Sequence, residues 1–235
     1  MNNEMFCFQC EQTAGVCGKK SDTAALQDKL TGVLIGLARA TEGNEDLVSA
    51  STDKVILEGL STTVTNVSFS NEKITELIAQ VQEEKKKLIP NCFSCAAPCG
   101  RNNDYDMQEL WTADEDIRSL KSLILFGIRD MAEYAYHASV LGYIDNEVNK
   151  FFYKALFAIG MDWGKDELLP IVLEVGEVNL KCKALLDKAN SKTNGNPVPI
   201  VASLSVADKI TDAVRKGKIE HFFLHNIAPT TPEED

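Results

Sequence analysis

The sequence has no apolar run long enough to span a bilayer, which takes about 20 consecutive apolar residues. Basic residues are also scarce: 24 Lys and Arg stand against 35 Asp and Glu, for a formal net charge of −11. Nucleic acids and anionic membrane surfaces both attract basic proteins, so this balance argues against either as the main partner. The stretch "MNNEMFCFQC" lacks the basic and apolar regions of a signal peptide. We therefore expect a cytoplasmic protein with no nucleic acid or membrane partner.

Several common catalytic motifs are missing as well. The sequence contains no phosphate-binding loop, dinucleotide fingerprint, nucleophile elbow or H-E-x-x-H zinc motif. Histidine occurs only three times. His137 is expected at a bundle surface or hydrogen-bonded in the core, and His221 and His225 at the edge of a predicted strand. Histidine-based catalysis is therefore not predicted.

Cysteine is the residue type that carries chemistry here. Of the seven cysteines, six fall in two compact triplets. The first triplet is Cys7, Cys10 and Cys17, and the second triplet is Cys92, Cys95 and Cys99. Each contains a C-x2-C pair, which brings two thiolates to one metal centre, and each is one ligand short of four. In a reducing compartment this pattern indicates metal binding rather than disulfides, and the spacing leaves an iron–sulfur cluster, zinc and unligated thiols open. Cys182, on the periodic "NLKCKALL", is expected to pack in a helix.

Apolar residues recur at helical spacing through most of the chain. The predicted helices are 21–41, about 52–66, 71–89, about 115–141, about 145–159 and about 166–189. Ser70 is a predicted N-cap, and Thr112 with Glu115 resembles a capping box. Pro170 must lie in the first turn of its helix or kink it. The segment 91–111 has no period and is predicted to be a loop around the second triplet.

These elements predict a mainly α fold with two three-helix bundles and a small C-terminal α/β segment. The helical domain covers 1–195, with its two bundles joined by the cysteine loop at 91–111. Residues 196–228 read as strand, helix and strand after the turn-forming "TNGNPVP", and 229–235 as a disordered tail. A sheet inside residues 21–190 would contradict this prediction.

The first triplet lies in "MFCFQCEQTA" and "GVCGK", which resemble the opening of the hybrid-cluster proteins, the prismane or hydroxylamine reductase family. The resemblance continues through "SDTAALQDKL", "LEGLSTTVTNVSF", "DEDIRSLKSLILFGIRDMAEYAYHASVLGY" and "ALLDKANSKTNGNP". It implies a start of two three-helix bundles and an iron–sulfur cluster bound by the N-terminal cysteines. A later stretch, "ADKITDAVRKGKIEHFF", resembles a helix–strand unit of the family's Rossmann-like domain.

The sequence also departs from the family pattern. Family members have a longer stretch with a further cysteine between "EQTA" and "GVCGK", so Cys7, Cys10 and Cys17 match three of four ligands. The second triplet, in "CFSCAAPCGR", is outside that pattern and is the natural source of the fourth ligand. The α/β domains that bind the family's catalytic hybrid cluster have almost no counterpart here. Hydroxylamine reduction by this chain alone is therefore not expected.

The leading hypothesis is an electron-transfer protein that carries one [4Fe–4S] cluster and acts with a redox partner protein. Its cluster would be held by the first triplet and one cysteine of the second, so the triplets are expected to meet in space. The alternatives are a redox enzyme with two open-site clusters and a scaffold with structural zinc. The sequence leaves the oligomeric state open, a homodimer included.

Overall fold

The computed structural model of the chain describes residues 19–64, 70–89 and 103–192. These residues form seven α-helices and no strand, and all lie within one unit of the chain. The helices are α1 (Ser21–Thr41), α2 (Ala50–Thr62), α3 (Asn71–Leu88), α4 (Met107–Trp111), α5 (Glu115–Val140), α6 (Asn146–Gly160) and α7 (Lys165–Ser191). A short 3-10 turn, Glu45–Leu47, lies between α1 and α2. The predicted mainly helical fold is confirmed.

The first three helices form one bundle. The Thr23 hydroxyl, in the first turn of α1, donates to Asn71 Oδ1 at the start of α3 (2.8 Å). The Thr52 hydroxyl, near the start of α2, donates instead to Glu84 Oε2 near the end of α3 (3.1 Å). α1 and α3 therefore run parallel, and α2 runs antiparallel to both.

The last three helices repeat this topology. Lys165, the first residue of α7, forms an ion pair with Asp116 in the first turn of α5. Lys121, near the start of α5, donates to the carbonyl of Met161 just after α6 (2.8 Å). α5 and α7 therefore run parallel, and α6 runs antiparallel to them. The predicted pair of three-helix bundles is thus confirmed.

The two bundles share one hydrophobic core, because α1 packs against α6 and α2 packs against α5. Polar contacts cross the same boundary: Ser61 Oγ donates to Glu133 Oε2 (2.7 Å), and Arg129 Nη2 donates to Thr31 Oγ1 (2.9 Å). The side chains almost fully removed from solvent include Leu30, Leu34, Leu37, Ile56, Leu60, Ile124 and Phe152. Burying each contributes roughly 1.5–3 kcal/mol, so this shared core stabilises both bundles together.

Side-chain caps mark the starts of five helices, α2 to α6. Ser70 Oγ accepts from the amide of Lys73, as predicted for α3. The capping box predicted from Thr112 and Glu115 is wrong: Asp114 is the N-cap of α5, and its carboxylate accepts from the amide of Asp116 (3.1 Å). Thr112 instead ends α4. Asp is as good a cap as Thr, and it lies one residue before the helix, where a cap must be.

Two helix boundaries and the position of a proline also differ from prediction. α2 ends at Thr62 rather than near residue 66, and the predicted loop 91–111 contains the short helix α4 at its end. Pro170 is the sixth residue of α7, beyond the first turn. The predicted α/β segment 196–228 and tail 229–235 lie outside the described residues, and the domain boundaries stay predictions. None of the described helices is long and apolar enough to cross a bilayer.

Candidate metal centre

The six cysteines proposed as ligands all lie outside the described residues. They are Cys7, Cys10 and Cys17 in 1–18, and Cys92, Cys95 and Cys99 in 90–102. What the structure does describe is where these two segments join the helices. It also describes Cys182 and one of the three histidines, His137.

Cys182 lies fully buried on α7 within the hydrophobic core, as predicted. Burial, together with the charges of Asp145 and Asp130, raises the pKa of its thiol to about 12. A thiol must be deprotonated to bind a metal. Cys182 is therefore a packing residue and not a ligand.

Within the described part of the chain, the contacts of His137 are structural. Its Nε2 is 3.2 Å from Glu133 Oε1, one helical turn earlier on α5, and its ring contacts Tyr136 edge-on. This agrees with the predicted structural role. Among residues 19–64, 70–89 and 103–192, no three His, Cys, Asp or Glu side chains are grouped so that they could hold a metal ion. His221 and His225 lie outside those ranges.

The N-terminal cysteine segment joins the bundle at Lys19, whose side chain is buried ahead of α1. Three groups near Asp28 lower the pKa of its carboxyl: the charge of Arg129 from α5, a hydrogen bond from Trp111 of α4, and the charge of Lys19. Burial nevertheless dominates and raises the pKa of the Asp28 carboxyl. The N-terminal half of α1 is thus contacted by Arg129 of α5 and by Trp111 of α4.

The second cysteine segment returns to the bundle along a groove in α1 made by Gly32 and Gly36. The Tyr105 amide donates to the Gly32 carbonyl (3.1 Å). A Cβ on Gly32 would lie 2.2 Å from the Tyr105 carbonyl oxygen, and one on Gly36 would lie 3.1 Å from the Asp104 Cα. Only glycine lets the backbone after residue 102 approach α1 this closely.

The same return point is tied to the end of α3. Lys85 Nζ, almost fully buried, forms an ion pair with Asp104 Oδ1 (2.8 Å), and Gln82 Nε2 donates to Asp104 Oδ2 (2.7 Å). The chain leaves α3 after Ile89 and comes back at Asn103, so both ends of the second cysteine segment are anchored in one region.

Two further cations lie beneath this return point. Tyr105 is 5% exposed, with the Arg39 guanidinium carbon 5.3 Å and Lys121 Nζ 5.9 Å from its ring centroid. Arg39 also donates to the Gly160 carbonyl, at the end of α6, beside the Lys121–Met161 bond. Burial raises the pKa of Tyr105 to about 12 and lowers the pKa of Lys121. The cations therefore satisfy the negative end of α6 while packing on Tyr105.

Sequence reasoning missed both the glycine groove and these cations. The spacing of Gly32 and Gly36 on an otherwise apolar helix was a readable signal, because residues four apart lie on one face. Arg39, Lys85 and Lys121 gave no signal, since each lies far along the chain from its partner.

A family model described as the Prismane/CO dehydrogenase family matches residues 5–214, a range that contains both cysteine triplets. A hydroxylamine reductase of Desulfitobacterium hafniense strain Y51 is 36% identical over 82% of this chain and 40% of its own length. One from Porphyromonas gingivalis strain W83 is 34% identical, over 89% of this chain and 43% of its own. A hydroxylamine reductase of Methanococcus vannielii is 36% identical, over 82% of this chain and 40% of its own length.

The chain thus spans about two fifths of the length of these relatives. The family match, in contrast, covers nearly all of the chain, from the first triplet to beyond the last described helix. The chain belongs to the Prismane/CO dehydrogenase family.

Proposed function

We propose that this chain binds an iron–sulfur cluster and serves electron transfer, with a redox partner protein as donor or acceptor. The observation that carries the proposal is the set of six cysteines in two C-x2-C triplets within the family-matched range. Thiolates are the ligands that iron–sulfur clusters require. In the described part of the chain, the remaining cysteine is buried and protonated and no rival metal group exists. Reduced thiols of this kind fit the cytoplasm.

The finer proposal is one [4Fe–4S] cluster shared between the triplets. Cys7, Cys10 and Cys17 supply three thiolates, and one of Cys92, Cys95 and Cys99 supplies the fourth. When bound, such a cluster carries single electrons. The helices around it anchor the two segments and exclude water from the core behind them.

The attachment points set a condition on sharing. Asp104 lies beside Gly36, roughly 25 Å along α1 from Lys19 at 1.5 Å per helical residue. Fully extended chain covers at most about 3.6 Å per residue. Cys17 can therefore reach about 7 Å from Lys19, whereas Cys10 can reach about 30 Å. A shared cluster that includes Cys17 must therefore lie near Lys19, and it requires the second cysteine segment to extend along the bundle; Cys95, nine residues before Asp104, can reach about 32 Å.

The distance between the attachment points of the two cysteine segments favours a second candidate function, that of a redox enzyme. If the segments do not converge, each triplet holds its own cluster with one iron lacking a protein ligand, and such an iron can bind a small substrate. The relatives are named hydroxylamine reductases, but this chain spans only two fifths of their length. We therefore propose electron transfer first, and substrate reduction as the alternative.

Metal analysis of protein purified without oxygen tests both. One shared cluster predicts about four iron and four sulfide per chain with absorption near about 400 nm; two clusters predict about twice that content. Zinc without visible absorption would reject the iron–sulfur proposal and favour a scaffold. Oxidation of a reduced viologen that depends on hydroxylamine would favour the enzyme.

Matched variants sharpen the ligand assignment. Cys10→Ser and Cys95→Ser are compared with Cys182→Ser as the control. A shared cluster predicts that Cys10→Ser removes most of the iron and that Cys182→Ser removes none. Loss of half of the iron in each of the first two variants would favour two separate clusters.

A further inference from the structure

A cleft of about 810 Å³ lies where the end of α1, the Glu45–Leu47 turn, the start of α2 and the outer face of α6 meet. Its volume falls within the range of pockets that take small organic molecules. Among the residues that the structure describes, those lining it come from these helices and from the turns beside them. Nothing in the proposed electron transfer uses it.

Asp53 forms the polar wall of this cleft. Its carboxylate is oriented by two neutral donors, since Asn149 Nδ2 donates to Oδ2 (3.0 Å) and the Tyr153 hydroxyl donates to Oδ1 (2.8 Å). Burial and the Asp53 charge raise the pKa of Tyr153, so its hydroxyl keeps its proton and remains a donor. Both oxygens are thus held in place by groups that bring no positive charge.

The charges around the cleft are unequal. Among the described residues that line it, four carry carboxylates and two carry ammonium groups. The two ammonium groups already have partners: Lys150 pairs with Glu147 (2.8 Å), and Lys154 pairs with Glu174 (2.5 Å). Asp53 lies in the first turn of α2, where the helix dipole favours a carboxylate. The cleft therefore keeps a negative potential that an entering cation would meet.

Aromatic rings form another part of the lining. Phe157 of α6 and Trp163, just beyond its end, both line the cleft, with ring centroids 5.9 Å apart in an edge-to-face arrangement. Such rings attract cations over their faces and pack well against apolar stems. An oriented carboxylate and an aromatic pair in the same cleft are complementary to an ammonium or guanidinium group carried on an apolar stem.

We propose that this cleft binds a small organic cation, with its ammonium or guanidinium head at Asp53 and its apolar stem against Phe157 and Trp163. The positively charged head forms an ion pair with the Asp53 carboxylate, which Asn149 and Tyr153 hold in place. This proposal does not rest on the cluster proposal.

The test uses two probes of nearly equal shape and different charge. Titration calorimetry of the metal-loaded protein at pH 7 compares 2-phenylethylamine, which is a cation, with 2-phenylethanol, which is neutral. We expect the amine to bind with a dissociation constant of about 1 mM or tighter, and the alcohol at least tenfold more weakly. Equal affinities, or no saturable binding of the amine up to about 10 mM, would overturn the proposal.

Variants locate the site. Asp53→Asn keeps the side-chain shape and removes the charge, and it should weaken amine binding at least tenfold. Asp46→Asn makes the same charge change on the neighbouring turn, at a residue that is not among those lining the cleft. It should change the dissociation constant of the amine less than twofold. Phe157→Leu should weaken amine and alcohol by equal factors. Equal effects of the two Asp→Asn changes would show a diffuse charge effect and reject the site; the wild-type comparison of probes needs no variant to fold.

Discussion

The two bundles have the same topology but bury their parallel helices to very different extents. α1 of the first bundle packs against α3 and α6 and buries fourteen of its 21 residues. α7 of the second bundle buries six of its 27 residues. Leu169, Leu173 and Leu180 on α7 are at least half exposed. One topology therefore serves as the centre of the fold in one bundle and as its outer wall in the other.

The connections between the helices also differ between the two bundles, in length. α6 joins α7 through residues 161–164, whereas α3 joins α4 through residues 89–106, of which Tyr105 bonds to the groove in α1. The second cysteine segment lies in that longer connection. The repeated topology is thus interrupted where the proposed chemistry is attached, and α1 is the helix that receives both segments.

Gly32→Ala should have the largest effect on this arrangement. The added Cβ would lie 2.2 Å from the backbone oxygen of Tyr105, which cannot move without displacing the return segment. We expect a loss of about 2–3 kcal/mol in the free energy of unfolding, measured with urea. Gly176→Ala on α7 is the control: no atom lies within 4 Å of its added Cβ, so it should stabilise the protein by about 0.5–1 kcal/mol. A harmless Gly32→Ala would show that the groove is not a tight contact.

Gly127→Ala tests the equivalent close contact in the second bundle. Its Cβ would lie 2.3 Å from Val175 Cγ1, a side-chain atom between α5 and α7. A side chain can shift more cheaply than a backbone, and alanine favours the helix, so we expect a net loss of about 1 kcal/mol. A loss larger than that of Gly32→Ala would reverse the proposed difference between the bundles.

Cys182→Ala separates packing from metal binding. We expect a loss of about 1 kcal/mol in unfolding free energy from the small cavity in α7. The iron content per chain should not change, because the buried thiol is protonated. Loss of half or more of the iron in this variant would show that Cys182 is a ligand after all.

Asp28→Asn should give the smallest effect, and one that depends on pH. Burial raises the folded-state pKa of Asp28 above 3.8, so the folded protein holds this proton more tightly than the unfolded chain. Stability is therefore lost as pH rises through the folded-state pKa, and asparagine, which cannot ionise, avoids that loss. The variant should be more stable than wild type at pH 7, with the difference shrinking toward about pH 4. Urea unfolding at pH 7 and about pH 4 measures this difference in unfolding free energy, with Asp46→Asn as the control. A constant difference would reject Asp28 as the titrating group.

Much of the helical framework was predictable because its signals are local. The apolar period of α1 predicted its bounds, and the hydroxyl of Ser70 predicted the start of α3. The errors arose where two local signals competed: Thr112 and Asp114 are both good caps, and only the one adjacent to the helix can act. α4 was missed because five residues are too few to show a period.

The sequence by itself determined the helix count in the two bundles, the packing role of Cys182 and the family resemblance carried by the cysteine motifs. These follow from periodicity and from short motifs, which need no knowledge of distant neighbours. Only the tertiary structure decided that Asp104 and Tyr105 lie on Gly32 and Gly36. It alone also placed Asp53, Phe157 and Trp163 in one cleft. Such contacts join residues about 70 to 110 positions apart, and only the packing of whole helices determines which of them meet.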